Sequence, residues 1–330
     1  AVISSKAMAL YPYRLERSLS ARLWGGTRLA SFLKLPPYHG DEPLAEAWQV
    51  YANNRIINGE LAGSTLAAAC AQLGPALVGN ISAARYGTTF PLLAKFIDAS
   101  QKLSIQVHPD DAFARTMEAG SGHLGKAEAW VVLEAEPGAQ VIWGFKDRLS
   151  PAEIRQKIAA GTLEEHLNFV PVAPGEVIYN PPGTLHAIGA GILLFEIQQS
   201  SDLTYRLYDY QRRDAAGALR ELHLDKALAV LKLEPGEQAK VAPRALSQGK
   251  TLLIAVEPLA MERWEIAGVQ EERTDAGSVE ILTVIAGELT LNAGTTETIV
   301  RGESLVLPAA LGSYRLAGEG VLLRCYVPRL

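Results

Sequence analysis

Within LSIQVHPDD, residues 103–111, Gln106 and His108 stand two apart and so project from one side of a strand, which Pro109 and two aspartates then end. GKAEAWVVL repeats the spacing: Lys126, Glu128 and Trp130 share a face, leaving Ala127, Ala129 and Val131 on the other. His186 follows PPGTL, where a rigid turn feeds a new strand. Two imidazoles, a carboxylate and a side-chain carbonyl make an N2O2 set suited to zinc and other first-row divalent ions, with room left for water or a substrate. Magnesium suits it less, since it prefers oxygen ligands and keeps its waters. Each residue taken singly has a plainer reading. A lone strand histidine is by default hydrogen-bonded structure, and a lone strand glutamate usually faces water. Only the convergence of three separate strands turns the four into a site.

A second polar run, FEIQQSSDLTYRLYDYQRR, puts Glu196 and Gln198 on one strand face and Thr204, Arg206 and Tyr208 on another. Its ordinary explanation is a solvent-facing hairpin edged with tyrosines. Its functional one is a rim that handles substrate, because the planar, permanently charged fork of Arg206 matches a phosphate or a developing oxyanion. Arg212 and Arg213, beside Asp214, read as solvated surface. Neither WGGTRL at 24–29 nor GAG at 189–191 has the spacing of a nucleotide-binding loop.

Strands must do the positioning. ILTVIAGELTL, ESLVLPA, YRLAG and VLLRCYV are short β-rich segments separated by glycine or proline, the pattern of hairpins in a sandwich or small barrel. AEAWVVLEAEPGAQVIWGF and the run from Val170 to Gln199 repeat it. VAPGEVIYNPPGTLHAI and VRGESLVLPAALGSYRL share an order of glycine turn, acid, apolar strand, proline, later glycine and strand, which points to two related β units. Helical signals are few. GSTLAAACAQLG, residues 63–74, is a short helix before a glycine stop. At 150–167, Ser150 is the cap, Pro151 opens the first turn, and a glycine divides two helical pieces. LHLDKALAVLKLEPGEQ reads as a linker. The expected organisation is a catalytic β unit over 1–235 and a second β unit over 236–330.

The 330 residues, 48% apolar and 20% charged, have the make-up of a globular protein with a sizeable core. A formal charge of -5 gives no overall basic excess of the kind that nucleic-acid or membrane-surface partners require. Cys70 and Cys325 form neither a disulfide framework nor a CxxC motif, as expected of a reducing cytoplasm. AVISSKAMALYPYRLE lacks the apolar run of a signal peptide, and no later run is long enough to span a bilayer.

LLAKFIDASQKLSIQVHPDD, GKAEAWVVL, NPPGTLHAIGAG and EIQQSSDLTYRLYDY together resemble type I mannose-6-phosphate isomerases of the short bacterial and archaeal form, and WGGTRL and EAWQV fit that family's opening region. The resemblance covers essentially the whole chain. It implies a mainly β protein of two cupin-type jelly-roll barrels with a small helical insertion. It maps Gln106, His108, Glu128 and His186 onto the family's metal ligands, with one zinc per chain or another first-row divalent ion. Lys126, Glu196 and Arg206 match polar residues of the family pocket, with Glu196 or Lys126 near the proton transfer and Arg206 or Lys126 at the oxyanion. Ser104 and Trp24 are its implied substrate-binding residues. No histidine follows His223, so the second barrel is expected to hold no equivalent metal. The implied activity interconverts mannose 6-phosphate and fructose 6-phosphate through a cis-enediol. The same two histidines and carboxylate would also serve an iron-dependent cupin oxygenase. A sugar-phosphate-binding cupin without turnover is the other alternative.

Overall fold

The computed structural model describes residues 10–214, 216–236, 238–247 and 249–330; the first nine residues, which open the stretch read above for a signal peptide, lie outside them. Two contact-dense units interleave along the chain rather than meeting at a single cut near 235/236. One takes 17–49 and 92–244, the other 10–16, 50–91 and 245–330. The reason is local. In the second unit the amides of Asn80 and Ile81 donate to the carbonyls of Ala276 and Gly277, and Ala309 N donates to Leu77 O, so the segment carrying the helix Leu66–Leu73 is stitched to strands far along the chain.

The first unit holds β1 (Ser18–Gly26), β2 (Leu44–Val50), β3 (Leu92–Ala99), β4 (Ile105–Val107), β5 (Glu128–Ala135), β6 (Gln140–Phe145), β7 (Leu167–Pro171), β8 (Val177–Asn180), β9 (His186–Ile188), β10 (Ile192–Gln199), β11 (Tyr205–Tyr208) and β12 (Lys240–Val241). They form a seven-stranded sheet, β1-β2-β3-β10-β5-β8-β12, and a five-stranded sheet, β11-β4-β9-β6-β7. Strands three to seven apart in chain order pair antiparallel, the arrangement of a jelly roll. Trp130, Val141, Ile178, Ile188 and Leu194 fill a buried core. Ser150 caps the helix Pro151–Ala160 with a reciprocal bond to Glu153, as the sequence predicts. The stretch read as a linker instead forms a helix, Leu224–Val230, whose Ala227 packs with Leu207 and Leu185 in a second core.

The second unit builds one sheet from β13 (Arg244–Ser247), β14 (Lys250–Val256), β15 (Leu259–Arg273), β16 (Glu280–Asn292), β17 (Thr296–Val300), β18 (Ser304–Leu307) and β19 (Ser313–Tyr326). The sequence repeat has a physical counterpart here. Gly175 and Gly302 both adopt a positive φ, near 90°. Glu176 and Glu303 each accept the amide three residues earlier, at 2.9 and 3.0 Å. Each turn also bonds one valine, Val132 on β5 and Val284 on β16, through the same pair of backbone hydrogen bonds. Four residues before those valines stand Glu128 and Glu280. The second carboxylate receives Arg324, whose Nε and Nη2 lie 2.8 and 2.7 Å from its two oxygens, while Nη1 reaches Glu262 at 3.1 Å. A guanidinium thus occupies the electrostatic place beside Glu280. Arg324→Ala leaves two buried carboxylates without their cation and is expected to cost about 3–5 kcal/mol. Denaturant unfolding of the variant against wild type measures it; an unchanged midpoint sinks the assignment. Among the described residues, no helix is long and apolar enough to cross a membrane.

Candidate active site

The smaller sheet lays out one row of residues: Arg206 on β11 lies opposite Gln106 on β4, and Gln106 lies opposite His186 on β9. In the larger sheet Lys95, Glu196 and Trp130 form one cross-strand row, and Gln198, Glu128 and Asn180 the next. Directly opposed residues of antiparallel strands point to the same face. The sheets turn these rows toward each other, because His108 Nε2 lies 3.0 Å from Glu128 Oε1 and His186 Nε2 lies 3.3 Å from Glu128 Oε2. Facing ligand atoms of the three residues fall within 4.8 Å of one another. All three side chains are buried.

The histidines are oriented from behind. His108 Nδ1 is 2.9 Å from Leu203 O, and His186 Nδ1 is 2.8 Å from Thr184 O. A carbonyl only accepts, so each Nδ1 carries the proton and each Nε2 presents a lone pair to Glu128. Burial, with the Lys126 charge second, pushes the His108 pKa down to about 3, which keeps the ring in its neutral, metal-binding form. Burial works against ionised Glu128 too, but the Lys126 ammonium, 2.9 Å away, prevails and holds the carboxyl well below its usual range.

Lone pairs and a carboxylate aimed at one small volume repel unless a cation sits among them. Neither Glu128 Oε2 nor His186 Nε2 has a hydrogen-bond partner among the described residues, although both are buried. Around the cluster, Lys95 pairs with Glu46 and Glu196, and Lys126 with Glu128. This donor set fits a divalent metal on His108, Glu128 and His186, and the side chain of Gln106 lines the same cavity.

That cavity, about 310 Å³, is lined by Trp24, Ser104, Lys126, Glu196 and Arg206 as well, so every site residue read from the sequence is gathered at one place. Glu196 Oε2 accepts from Trp130 Nε1 at 2.6 Å, and Glu196 Oε1 lies 3.3 Å from Lys95 Nζ. Burial, followed by the Glu128 charge, raises the Glu196 carboxyl above its ordinary value. Lys95 also holds Glu46 at 3.0 Å. Its burial favours the neutral amine, but the two carboxylates outweigh this and keep it protonated.

Lys95, Glu46 and Arg220, all on the cavity wall, were not singled out in the sequence. A signal for Lys95 existed, since LLAKFIDA is a wholly buried strand interrupted by one ammonium and one carboxylate. One facing assignment needs correction. Tyr208 does not continue the face of Thr204 and Arg206, because a bulge between Arg206 and Tyr208 turns its ring into the core beside Leu163 and Ile154. WGGTRL proves structural: a Cβ on Gly26 would fall 2.7 Å from the Asp98 carboxylate, which also accepts Leu29 N at 2.9 Å. The turn so closed sets Trp24 against the cavity.

Comparison with known proteins places these residues in context. Residues 13–128 match the profile of phosphomannose isomerase type I, catalytic domain, and residues 248–327 that of mannose-6-phosphate isomerase, cupin domain. A mannose-6-phosphate isomerase from Streptococcus mutans is 36% identical over 318 residues, 93% of this chain and 96% of that protein. One from Bacillus subtilis is 35% identical over 315 residues, covering 94% and 97%. The crystal structure of the mannose 6-phosphate isomerase from Bacillus subtilis superposes with a TM-score of 0.83 at 31% identity, covering 95% of this chain and 99% of that one. A putative mannosephosphate isomerase from Archaeoglobus fulgidus, 22% identical, shares the fold with a TM-score of 0.78, covering 98% and 100%.

Proposed function

Since the chain belongs to the type I mannose-6-phosphate isomerase family, we propose that it interconverts mannose 6-phosphate and fructose 6-phosphate in the cavity between its two facing rows. The observation that carries this reading is the buried cluster of His108, Glu128 and His186 opening on the same cavity as Glu196 and Arg206. An aldose and its ketose differ by a proton shift between C1 and C2 and by which carbon carries the carbonyl, so no outside oxidant is needed. His108, Glu128 and His186 would hold a divalent ion, for which we favour zinc, and when bound it would supply electrostatic stabilisation of the negative charge that develops on the sugar.

The protein side chains divide the remaining work. Glu196 takes the proton from C2 of the opened aldose and returns it to C1 of the cis-enediol, while a hydroxyl proton passes from O2 to O1 so that the carbonyl ends on C2. Its burial and raised pKa make it a stronger base than a solvated carboxylate. Trp130 Nε1 fixes one oxygen and Lys95 balances the charge of the other. Lys126 suits the task of base less well, because it lies 2.9 Å from Glu128 and 3.4 Å from Thr204 Oγ1, a position that neutralises the cluster and offers a donor to the developing oxyanion. Ser104 and Arg206, joined by a 3.2 Å hydrogen bond, face the phosphate end. Trp24 lines the sugar's path. Because a phosphate dianion does not cross a bilayer unaided, the cytoplasm is the setting we favour for this reaction.

Purified protein given mannose 6-phosphate is expected to form fructose 6-phosphate, to lose that activity on exhaustive chelation, and to regain it with zinc. A zinc-loaded sample that binds the sugar phosphate without converting it would overturn the isomerase reading.

A further inference from the structure

Two of the five N–H donors of Arg206 are already committed. Its Nε donates to Ser104 Oγ and its Nη1 donates to Glu221 O at 2.9 Å. The second of these bonds brings the backbone next to Arg220 against the Arg206 guanidinium. Arg220 lines the same cavity. It also lines a neighbouring cavity of about 300 Å³ together with Arg212 and Asp209, so it stands in the wall between the two.

The commitments of these groups differ. Asp209 Oδ1 is taken by Arg212 Nη2. Asp209 Oδ2 is buried, has no hydrogen bond among the described residues, and lies 3.7 Å from Arg220 Nη1, beyond hydrogen-bond reach. Glu221 points its carboxylate at His223, 4.0 Å away, and is exposed. Arg212 and Arg220 share the one buried carboxylate of Asp209, and with Arg206 they outnumber the carboxylates Asp202 and Asp209, so positive charges prevail on this side of the cavity. A sugar phosphate near neutral pH carries about two negative ones. Burial, and then the charge of Arg220, work against the charged form of Arg206. An anion between the two arginines relieves both.

The backbone holds Arg220 in place. Tyr210 and Gln211 have φ of 56° and 55°, a conformation that side-chain-bearing residues adopt at a cost. They launch a small hairpin in which Arg213 pairs with Leu219. Tyr210 Oη donates to Leu103 O at 3.0 Å, and Arg212 Nη1 donates to Lys102 O, tying the hairpin to the residues just before Ser104. Its far end is anchored on β11 by His223 N donating to Arg206 O. Two strand spacings, about 10 Å, separate the strands of Arg206 and His186, a span comparable with an extended six-carbon sugar phosphate.

We propose that Arg220 is a substrate-binding residue, the second arm that closes with Arg206 on the 6-phosphate. This rests on the isomerase reading and adds to it the residue that makes the site select a phosphorylated sugar over a free one. Arg220 keeps its long contact with Asp209 as a tether and turns its free N–H groups to the phosphate oxygens.

The test compares mannose 6-phosphate with unphosphorylated mannose on the zinc-loaded wild type, Arg220→Ala and Arg220→Lys, by kinetics and by calorimetric binding. The preference for the phosphorylated sugar, as a ratio of kcat/KM values, is expected to fall roughly tenfold or more in Arg220→Ala. The change should sit mainly in KM, with partial recovery in Arg220→Lys. A ratio that stays at the wild-type value overturns the proposal, because a merely structural residue lowers both substrates together. If the wild type binds mannose 6-phosphate without turnover, the isomerase reading falls while the affinities of the same three proteins still decide Arg220. If the wild type binds neither sugar, both readings fall.

Discussion

Replacing His108 by alanine is expected to strip the metal from the protein and to lower kcat/KM for mannose 6-phosphate by about a thousandfold or more. A metal at this position supplies several kcal/mol of charge stabilisation, and each 1.36 kcal/mol is tenfold in rate. Local electrostatics make the loss hard to reverse with added ion. Lys126 Nζ stands 2.9 Å from Glu128 Oε1 and 3.4 Å from His108 Nε2. Without the imidazole the ammonium, already paired with that carboxylate, can move further into the space the cation needs. The fold should survive, since the strands on either side are fixed by ladders and by Val107, Ile105 and Val141 in the cores, with only Leu203 O left without its ring partner. Metal content after gel filtration, circular dichroism and turnover are the measurements. A folded variant that keeps one ion per chain and stays within tenfold of wild-type turnover would show that the site lies elsewhere.

The readable part of this site is the part written with period two. Gln106 and His108, and Lys126 and Glu128, are local pairs whose shared face follows from strand geometry alone. Turn chemistry was readable too, and the repeat around Gly175 and Gly302 corresponds to the same hydrogen bonds in both units. What stayed hidden depends on which strands become neighbours. Lys95 meets Glu196 because β3 pairs with β10 across about a hundred residues, and no local spacing encodes that. Glu46 joins them from the other side through the Lys95 ammonium. Tyr208 misled because one bulged residue reverses a face. The helix Leu224–Val230 was missed for want of a cap: His223 makes no side-chain capping bond, so its seven residues resemble any mixed polar and apolar stretch. Arg220 carries no local signal in the sequence. Only the Tyr210–Gln211 backbone and the anchoring at Arg206 bring it to the cavity.

Glu196→Gln separates chemistry from binding, because the amide keeps the shape of the side chain and removes only its basicity. kcat is expected to fall about 10²- to 10⁴-fold, the range for a positioned general base. Metal content should not change, and KM should move by no more than a few fold. The retained carbonyl can still accept from Trp130 Nε1, and Lys95 still has Glu46 at 3.0 Å, so no buried ammonium is left unpaired. Loss of metal along with activity would instead mean that Glu196 supports the cation. Lys95→Met probes the same group by a different route. The Lys95 charge opposes the rise that burial and Glu128 impose on the Glu196 carboxyl. Removing it raises that carboxyl further, and a base works only when deprotonated, so activity should now switch on at higher pH than in wild type. The acid limb of the kcat profile is the readout. A limb that stays put in Lys95→Met, together with near-normal turnover in Glu196→Gln, would take the proton transfer away from Glu196 and leave Lys126 as the remaining candidate on the cavity wall.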